Sequence, residues 1–363
     1  MSKKISAKPA QRPTFNRNTR VLIIHQQAIG DWLVAIPGLF ALSKHVGPID
    51  ILASPIASEF LSLLPFVNLV TVEQAKNTNY DLLIDFQDTF TTWQRATLPH
   101  LFIASWRVGV RRQGFIPWKL NDAVEKDLSS MHEHAWRLFE VAIHKTLDRT
   151  SFVWPTAASP SNFISKDKDF TVCIHVHNKN AFKVWPNNHW IQLVSILYAE
   201  AVNRNKTIQF VFTGIQQEQK KTAELVAGLP ELVQKSCVDL SGKCKAVDFI
   251  EIVRACNLVI SVDTSIFHLG ALVQTQSLGL FGPTLLNYWG PWSSYQKAIS
   301  LLLECRPTED LKRTLALKDR CCTKVENVCM TGIEPSRVSG EAITILLKDY
   351  EVRHVHTRPD PTL

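Results

Sequence analysis

The chain lacks any long apolar run. No stretch of about 18 apolar residues runs without charges or prolines, so no membrane span is expected. The amino terminus, MSKKISAKPAQRPTFNRNTR, has no apolar core of the kind a secretory signal carries, so the cytoplasm is the expected compartment. Glycine (14) and proline (18) are too few for a collagen-like or low-complexity chain. There is no GxGxxG after the first apolar run and no GxxxxGKS/T, which removes the usual dinucleotide and P-loop readings. Two histidines in MHEHAW lack the HExxH spacing, and no pair of cysteines has CxxC spacing. Cys173, Cys237, Cys244 and Cys256 read as small core residues, and Cys305, Cys321, Cys322 and Cys329 form a late cluster.

What is present is a soluble globular composition, 45% hydrophobic and 20% charged. At about 150 residues per domain, 363 residues predict two domains. The net charge of +7 is uneven. The first twenty residues hold six Lys/Arg and no acid, and Thr89 to Asn121 holds Arg95, Arg107, Arg111, Arg112 and Lys119 with no acid. Such stretches suit phosphate-bearing partners or an anionic membrane surface, and equally a solvated basic face.

Short apolar runs alternate with helical segments, the rhythm of a parallel α/β sheet. Strands are expected at RVLIIH, IDILAS, NLVTV, YDLLIDF and LFIAS, with helices over 30–44 and 57–64. The rhythm breaks in WPTAASPSNFISKDKD, which reads as a linker. It then restarts with strands at FTVCIHV, TIQFVFTG, NLVISV and QSLGLFG. Helices are expected over 189–201, 217–227, 247–255, 265–273 and 335–349. The expected organisation is a flexible basic tail over 1–19, one domain over 20–160, a second over 161–350 and a tail over 351–363. Asp167-Lys168-Asp169 has the DxD form of a metal-bound sugar-nucleotide site, but it precedes a strand and reads as solvated surface.

Two strand-to-helix junctions carry more. In HQQAIGD the chain turns at Gly30 and Asp31 stands at a helix entrance, where it suits either an N-cap or a proton acceptor. In LVISVDTSIFH a strand meets a helix through Asp263, Thr264 and Ser265, and His268 follows on the same side. First-turn N–H groups there can bind an anion, or the residues can be an ordinary cap with a core histidine. Lys183, in FKVWP before another helix, can neutralise a phosphate or stand solvated in its loop.

Together the stretches RVLIIHQQAIGDWLVAIPGL, KVWPNNHWIQL, VFTGIQQEQ, LVISVDTSIFHLGAL and LGLFGPT resemble the ADP-heptose:lipopolysaccharide heptosyltransferases, family 9 of the glycosyltransferases. The tail CRPTEDLKRTLALKDRCCTKVENVCMTGIEPSRV is similar to the family's cysteine-bearing terminus. The resemblance implies a GT-B architecture, two Rossmann-like doubly wound parallel-sheet domains facing across a cleft. It implies inverting transfer of heptose from ADP-heptose to a Kdo- or heptose-bearing inner core, without a cofactor or a DxD-bound metal. Asp31 would be the general base. Lys183 and the Thr264-Ser265 helix start would meet the leaving diphosphate. Glu218 would bind the ribose, and Asp263 and His268 would shape the nucleotide pocket. Arg107, Arg111 and Arg112 are the candidates for the anionic acceptor, with Trp93, Trp106 and Trp118 at a membrane interface or under a sugar ring; a charged helix face with core tryptophans is the equal alternative. The expected setting is the cytoplasmic face of the inner membrane, peripherally bound to a lipid A–Kdo core, with no nucleic-acid partner. The chain departs from the family at Ser265, where glycine is common, in a longer loop between Cys305 and Cys321, and in His177-Asn178-Lys179-Asn180, where small residues are usual. The alternatives are another sugar or a protein acceptor, the latter with metal on the cysteine cluster, and a non-catalytic nucleotide-sugar or nucleic-acid binder.

Overall fold

The structure, a computed structural model, describes residues 12–26, 28–86, 98–111, 120–125, 130–149, 151–156, 163–165, 167–303, 305 and 327–355. They fall into two compact units.

The first unit is built on β1 (Val21–His25), β2 (Ile49–Ala53), β3 (Asn68–Leu69), β4 (Asn79–Asp85), β5 (Ile103–Arg111) and β6 (Asp122–Glu125). Every pairing is parallel, in the order β3-β2-β1-β4-β5-β6. The helices are α1 (Ile29–Ser43), α2 (Pro55–Leu61), α3 (Val72–Lys76) and α4 (Met131–Ile143). All five residues of β1 are buried, as a strand covered on both faces requires. Part of the basic tail is packed: Arg12 meets Asp122 at 3.1 Å, and Arg17 donates to the Ser43 carbonyl at 3.2 Å.

The second unit repeats the plan with β7 (Phe170–His175), β8 (Ile208–Phe212), β9 (Cys237–Asp239), β10 (Leu258–Val262), β11 (Gln276–Phe281) and β12 (Gln296–Ser300). The order is β12-β11-β10-β7-β8-β9, again all parallel. Its helices are α5 (Asn187–Asn203), α6 (Gln219–Ala227), α7 (Glu231–Gln234), α8 (Ala246–Ala255), α9 (Ser265–Leu272), α10 (Leu286–Trp289), α11 (Val328–Thr331) and α12 (Pro335–Val355). Counted from its own first strand, each sheet has the same Rossmann order. The second unit also takes in Ile29–Val34 and the start of α4 at Met131 and His132, and the chain packs with it from Phe152 onward. The linker midpoint expected near 160 lies outside the described residues.

The core of the second unit joins Trp190, Leu193, Val194 and Leu197 of α5 to Phe210, Phe212, Ile260 and Leu278 of the sheet and to Val338, Ala342 and Leu346 of α12. On β11 the chain is cut down to Gly279. A Cβ there would stand 2.6 Å from a ring carbon of Phe281 and 2.8 Å from one of Phe267. The missing side chain therefore lets Phe267 seat the buried helix α9 on the sheet. We expect Gly279→Ala to overpack this contact and cost about 1–3 kcal/mol. It should appear as a lower denaturant midpoint at unchanged slope; an unaltered midpoint would show that α9 can shift freely.

Candidate functional site

In an open parallel sheet with this order, the two central strands have connections that leave in opposite directions. The crevice beyond their carboxyl ends is where ligands bind. In the second unit those strands are β7 and β10. Lys183 follows β7, in a single 3-10 turn over Ala181–Lys183 opened by Asn180, whose side chain accepts from Phe182 N at 2.9 Å. Asp263 is the first residue after β10. Their side chains meet, Lys183 Nζ to Asp263 Oδ2, at 2.6 Å. The Thr284 hydroxyl donates to the same oxygen, and Asn178 Nδ2 donates to the Asp263 carbonyl at 2.7 Å. Asp263 thus ties together the loops after β7, β10 and β11. Lys183 is not the solvated loop lysine of the alternative reading; it is an oriented ammonium with further N–H donors to offer.

Thr264 is the N-cap of α9, with φ −143° and ψ 173°, yet its side chain makes no cap bond. Its Oγ1 is buried without a hydrogen-bond partner among the described residues. Such a hydroxyl costs on the order of 1–3 kcal/mol unless a ligand completes it. The first N–H groups of α9 lack intrahelical acceptors, as in any helix. Beside this helix start runs that of α1: a Cβ on Gly30 would lie 3.8 Å from both Cα and Cβ of Ser265.

Asp31 is not a cap. Ala28 holds the N-cap position, with extended φ −65° and ψ 153°, Gly30 is already helical, and Asp31 is the third helical residue. The strand ends early enough that the turn falls before Gly30. Asp31 is nearly buried, in a first turn whose dipole favours a negative charge.

His268 is buried, and its Nδ1 accepts from Trp292 Nε1 at 3.1 Å. Burial pushes the imidazole down to about 4, outweighing the pull of Asp263, so it is neutral at neutral pH. Trp292 in turn stacks on His132, with centroids 4.6 Å apart and planes 7° apart. Glu218 closes a short 3-10 turn, and its carboxylate accepts from Ile215 N at 2.9 Å. It is half-buried and faces His177, whose Nε2 lies 2.7 Å from the Thr222 hydroxyl.

Of the three candidate acceptor arginines, only Arg107 has a described side chain. Arg107 turns its guanidinium onto backbone carbonyls, donating to Pro99 at 2.7 Å and to Phe102, so two of its five N–H donors are spent on its own loop. Arg111 ends β5 and nothing further is described of it; Arg112, Trp93 and Trp118 lie outside the described residues. Trp106 is corrected: it is buried, and its Nε1 donates to Asp122 at 3.0 Å, so it faces neither membrane nor sugar. The DxD stretch lies at the amino end of β7, opposite the crevice. There Asp169 accepts from Thr207 N at 2.8 Å and from its hydroxyl at 2.9 Å, as a surface-anchoring carboxylate. Cys329 is buried and Cys305 exposed, while Cys321 and Cys322 lie outside the described residues. Sequence reasoning missed Asn178, Thr284, His132 and Trp292 as parts of the site, because each is joined to it only in space.

Compared with known proteins, residues 71–318 match the model of glycosyltransferase family 9 (heptosyltransferase). The chain belongs to that family. Among curated relatives of this family-9 chain, lipooligosaccharide heptosyltransferase 2 of Haemophilus influenzae is 26% identical over 120 residues, 33% of either chain. Lipopolysaccharide heptosyltransferase 1 of Pseudomonas aeruginosa is 25% identical over 181 residues, 47% of this chain and 46% of its own. The matches therefore span about a third to a half of those relatives' length. Among solved structures, Escherichia coli ADP-heptose lipopolysaccharide heptosyltransferase II superposes with a TM-score of 0.71 at 19% identity, over 91% of this chain and 99% of that one. The family-9 structure from Veillonella parvula gives 0.73 at 14% identity, over 93% and 100%. At these identities the likeness is one of fold, and the family-9 chain has the α/β GT-B fold that the resemblance implied.

Because His268 is held neutral in the folded state, unfolding takes up a proton between the depressed value near 4 and the ordinary 6.5. Its contribution to stability is whole above pH 6.5 and is lost as pH falls toward 4, with a slope of about 1.4 kcal/mol per pH unit. Denaturation at a series of pH values should show a shallower acid loss in His268→Gln than in the parent; identical slopes would place the histidine's titration elsewhere.

Proposed function

We propose that this chain is an inverting glycosyltransferase that moves heptose from ADP-heptose to the inner core of lipopolysaccharide. What supports the reading most is one adjacency: the helix start that carries Asp31 lies against the helix start at Ser265, beside the oriented Lys183. In this reading that adjacency brings a proton acceptor and an anion site to one nucleotide sugar. The family and the relatives' names supply the donor and acceptor classes.

In this reading the acceptor hydroxyl attacks the anomeric carbon from the face opposite the ADP. Its proton passes to the Asp31 carboxylate as the new C–O bond forms. The bond from the anomeric carbon to the diphosphate oxygen breaks, and the electron pair leaves with ADP. Lys183, the open N–H groups of α9 and the unpartnered Thr264 hydroxyl meet the charge that develops there. Asp263 sets the direction of the Lys183 ammonium. Glu218 takes the ribose, and neutral His268, braced by Trp292, forms a wall of the nucleotide pocket without adding charge. Among the described residues no helix is long and apolar enough to cross a membrane, and the basic stretches suit peripheral attachment to an anionic cytoplasmic leaflet bearing the lipid A–Kdo core.

The direct test is incubation with ADP-heptose and truncated lipopolysaccharide acceptors. A mass gain of one heptose with release of ADP is expected; transfer from no ADP-sugar to any such acceptor would contradict the reading. Asp31→Asn should fold and bind ADP like the parent while kcat falls by about 10²- to 10⁴-fold. Near-parental turnover in that variant would remove the base assignment. Lys183→Ala should lower turnover by more than it weakens ADP binding, by about 2–4 kcal/mol in the transition state, with partial rescue by Lys183→Arg. Parental values for both turnover and calorimetric affinity would leave α9 as the diphosphate site.

A further inference from the structure

Three side chains converge over one glycine at the carboxyl end of β8. A Cβ on Gly214 would stand 3.0 Å from Glu218 Oε2, 3.1 Å from His177 Cδ2 and 3.2 Å from Ser241 Oγ. These groups come from the loops after β7, β8 and β9, so the convergence is a product of the sheet order. The imidazole is anchored on one side only. Its Nε2 meets the Thr222 hydroxyl at 2.7 Å, and that hydroxyl also touches Ser241 Oγ at 3.0 Å and the Glu218 carbonyl at 3.2 Å. His177 Nδ1 has no hydrogen bond among the described residues, and the residue is half-buried. Glu218 commits Oε2 to Ile215 N and keeps acceptor capacity beyond that bond.

The two open groups differ in what they can hold. A carboxylate only accepts, whereas a neutral imidazole nitrogen accepts or donates according to its tautomer. Burial lowers the His177 pKa against the pull of Glu218, so the ring carries no charge at neutral pH and offers little to a diphosphate. A neutral ring and a carboxylate side by side suit a pair of adjacent hydroxyls. We propose that His177 is a specificity-determining residue for ribonucleoside diphosphates, its Nδ1 binding one hydroxyl of the ribose whose other hydroxyl goes to Glu218. This rests on the reading of Glu218 as the ribose-binding residue. The site then rejects a deoxyribose, because the missing hydroxyl leaves a partly buried polar group unpaired.

The experiment is calorimetric titration of the whole chain with ADP, 2′-deoxy-ADP and 3′-deoxy-ADP. The parent should bind ADP more tightly than at least one deoxy analogue. His177→Gln can keep the bond to Thr222 but withdraws the Nδ1 edge. It should weaken ADP and one deoxy analogue by roughly 3- to 10-fold, the size of one hydrogen bond, and leave unchanged the affinity for the other, which lacks the hydroxyl that His177 holds. His177→Asn, whose amide lies near the place of Nδ1, should recover part of the ADP affinity. Equal weakening of all three ligands by His177→Gln would show a merely structural histidine and overturn the proposal, as would no weakening of any. A parent that binds none of the three overturns the donor reading itself, and this inference with it.

Discussion

A single buried carboxylate holds the site together. Asp263 would be costly alone in so dry a place, and the Lys183 ammonium offsets that cost at 2.6 Å. Thr284 adds a donor to the same oxygen, and Asn178 pins the backbone of the same residue. Three loops that would otherwise move separately are fixed on one point. Thr264 is the next residue and His268 lies one turn further, so both take their positions from the same anchor. A mobile lysine would lose side-chain entropy on pairing with an anion; here that ordering is already built into the fold.

The same sheet order appears in both units, and it decides where chemistry can happen. Parallel strands send every strand-to-helix turn to one end, so helix starts gather there with their open N–H groups. Asp31 and Thr264 each stand at such a turn, after the first strand of one unit and the fourth of the other. The buried, unpartnered Thr264 hydroxyl fits this picture, since polar groups left unsatisfied in a native fold tend to mark ligand sites.

Much of the fold was legible because the strands covered on both faces are continuous apolar runs: VLIIH, FTVCIH and LVISV stand out without knowledge of their partners. The short edge strands β6, β9 and β12 and the helix α4 were not. Their sequences are mixed and take shape only against neighbours. Asp31, Thr264 and Ser265 could be singled out because a strand-to-helix turn has a local pattern. The Lys183–Asp263 pair could not be read as a pair, since 80 residues separate its members. Arg107 was only half legible for a related reason: an acid-free basic stretch looks like an anion surface, and nothing local in it shows that two of its N–H donors go to the Pro99 and Phe102 carbonyls. His177 drew notice only as a departure from the family's small residues, and its meaning depends on Thr222 and Ser241 far along the chain.

The account stands or falls on direct displacement at the anomeric carbon, with one base and one anion site. The most direct measurement is the anomeric configuration of the heptose in the product, read by NMR one-bond carbon–proton coupling. The account predicts a configuration opposite to that in the ADP-heptose donor. Retention of the donor's configuration would contradict it, because a single displacement from the face opposite the leaving ADP inverts the anomeric centre.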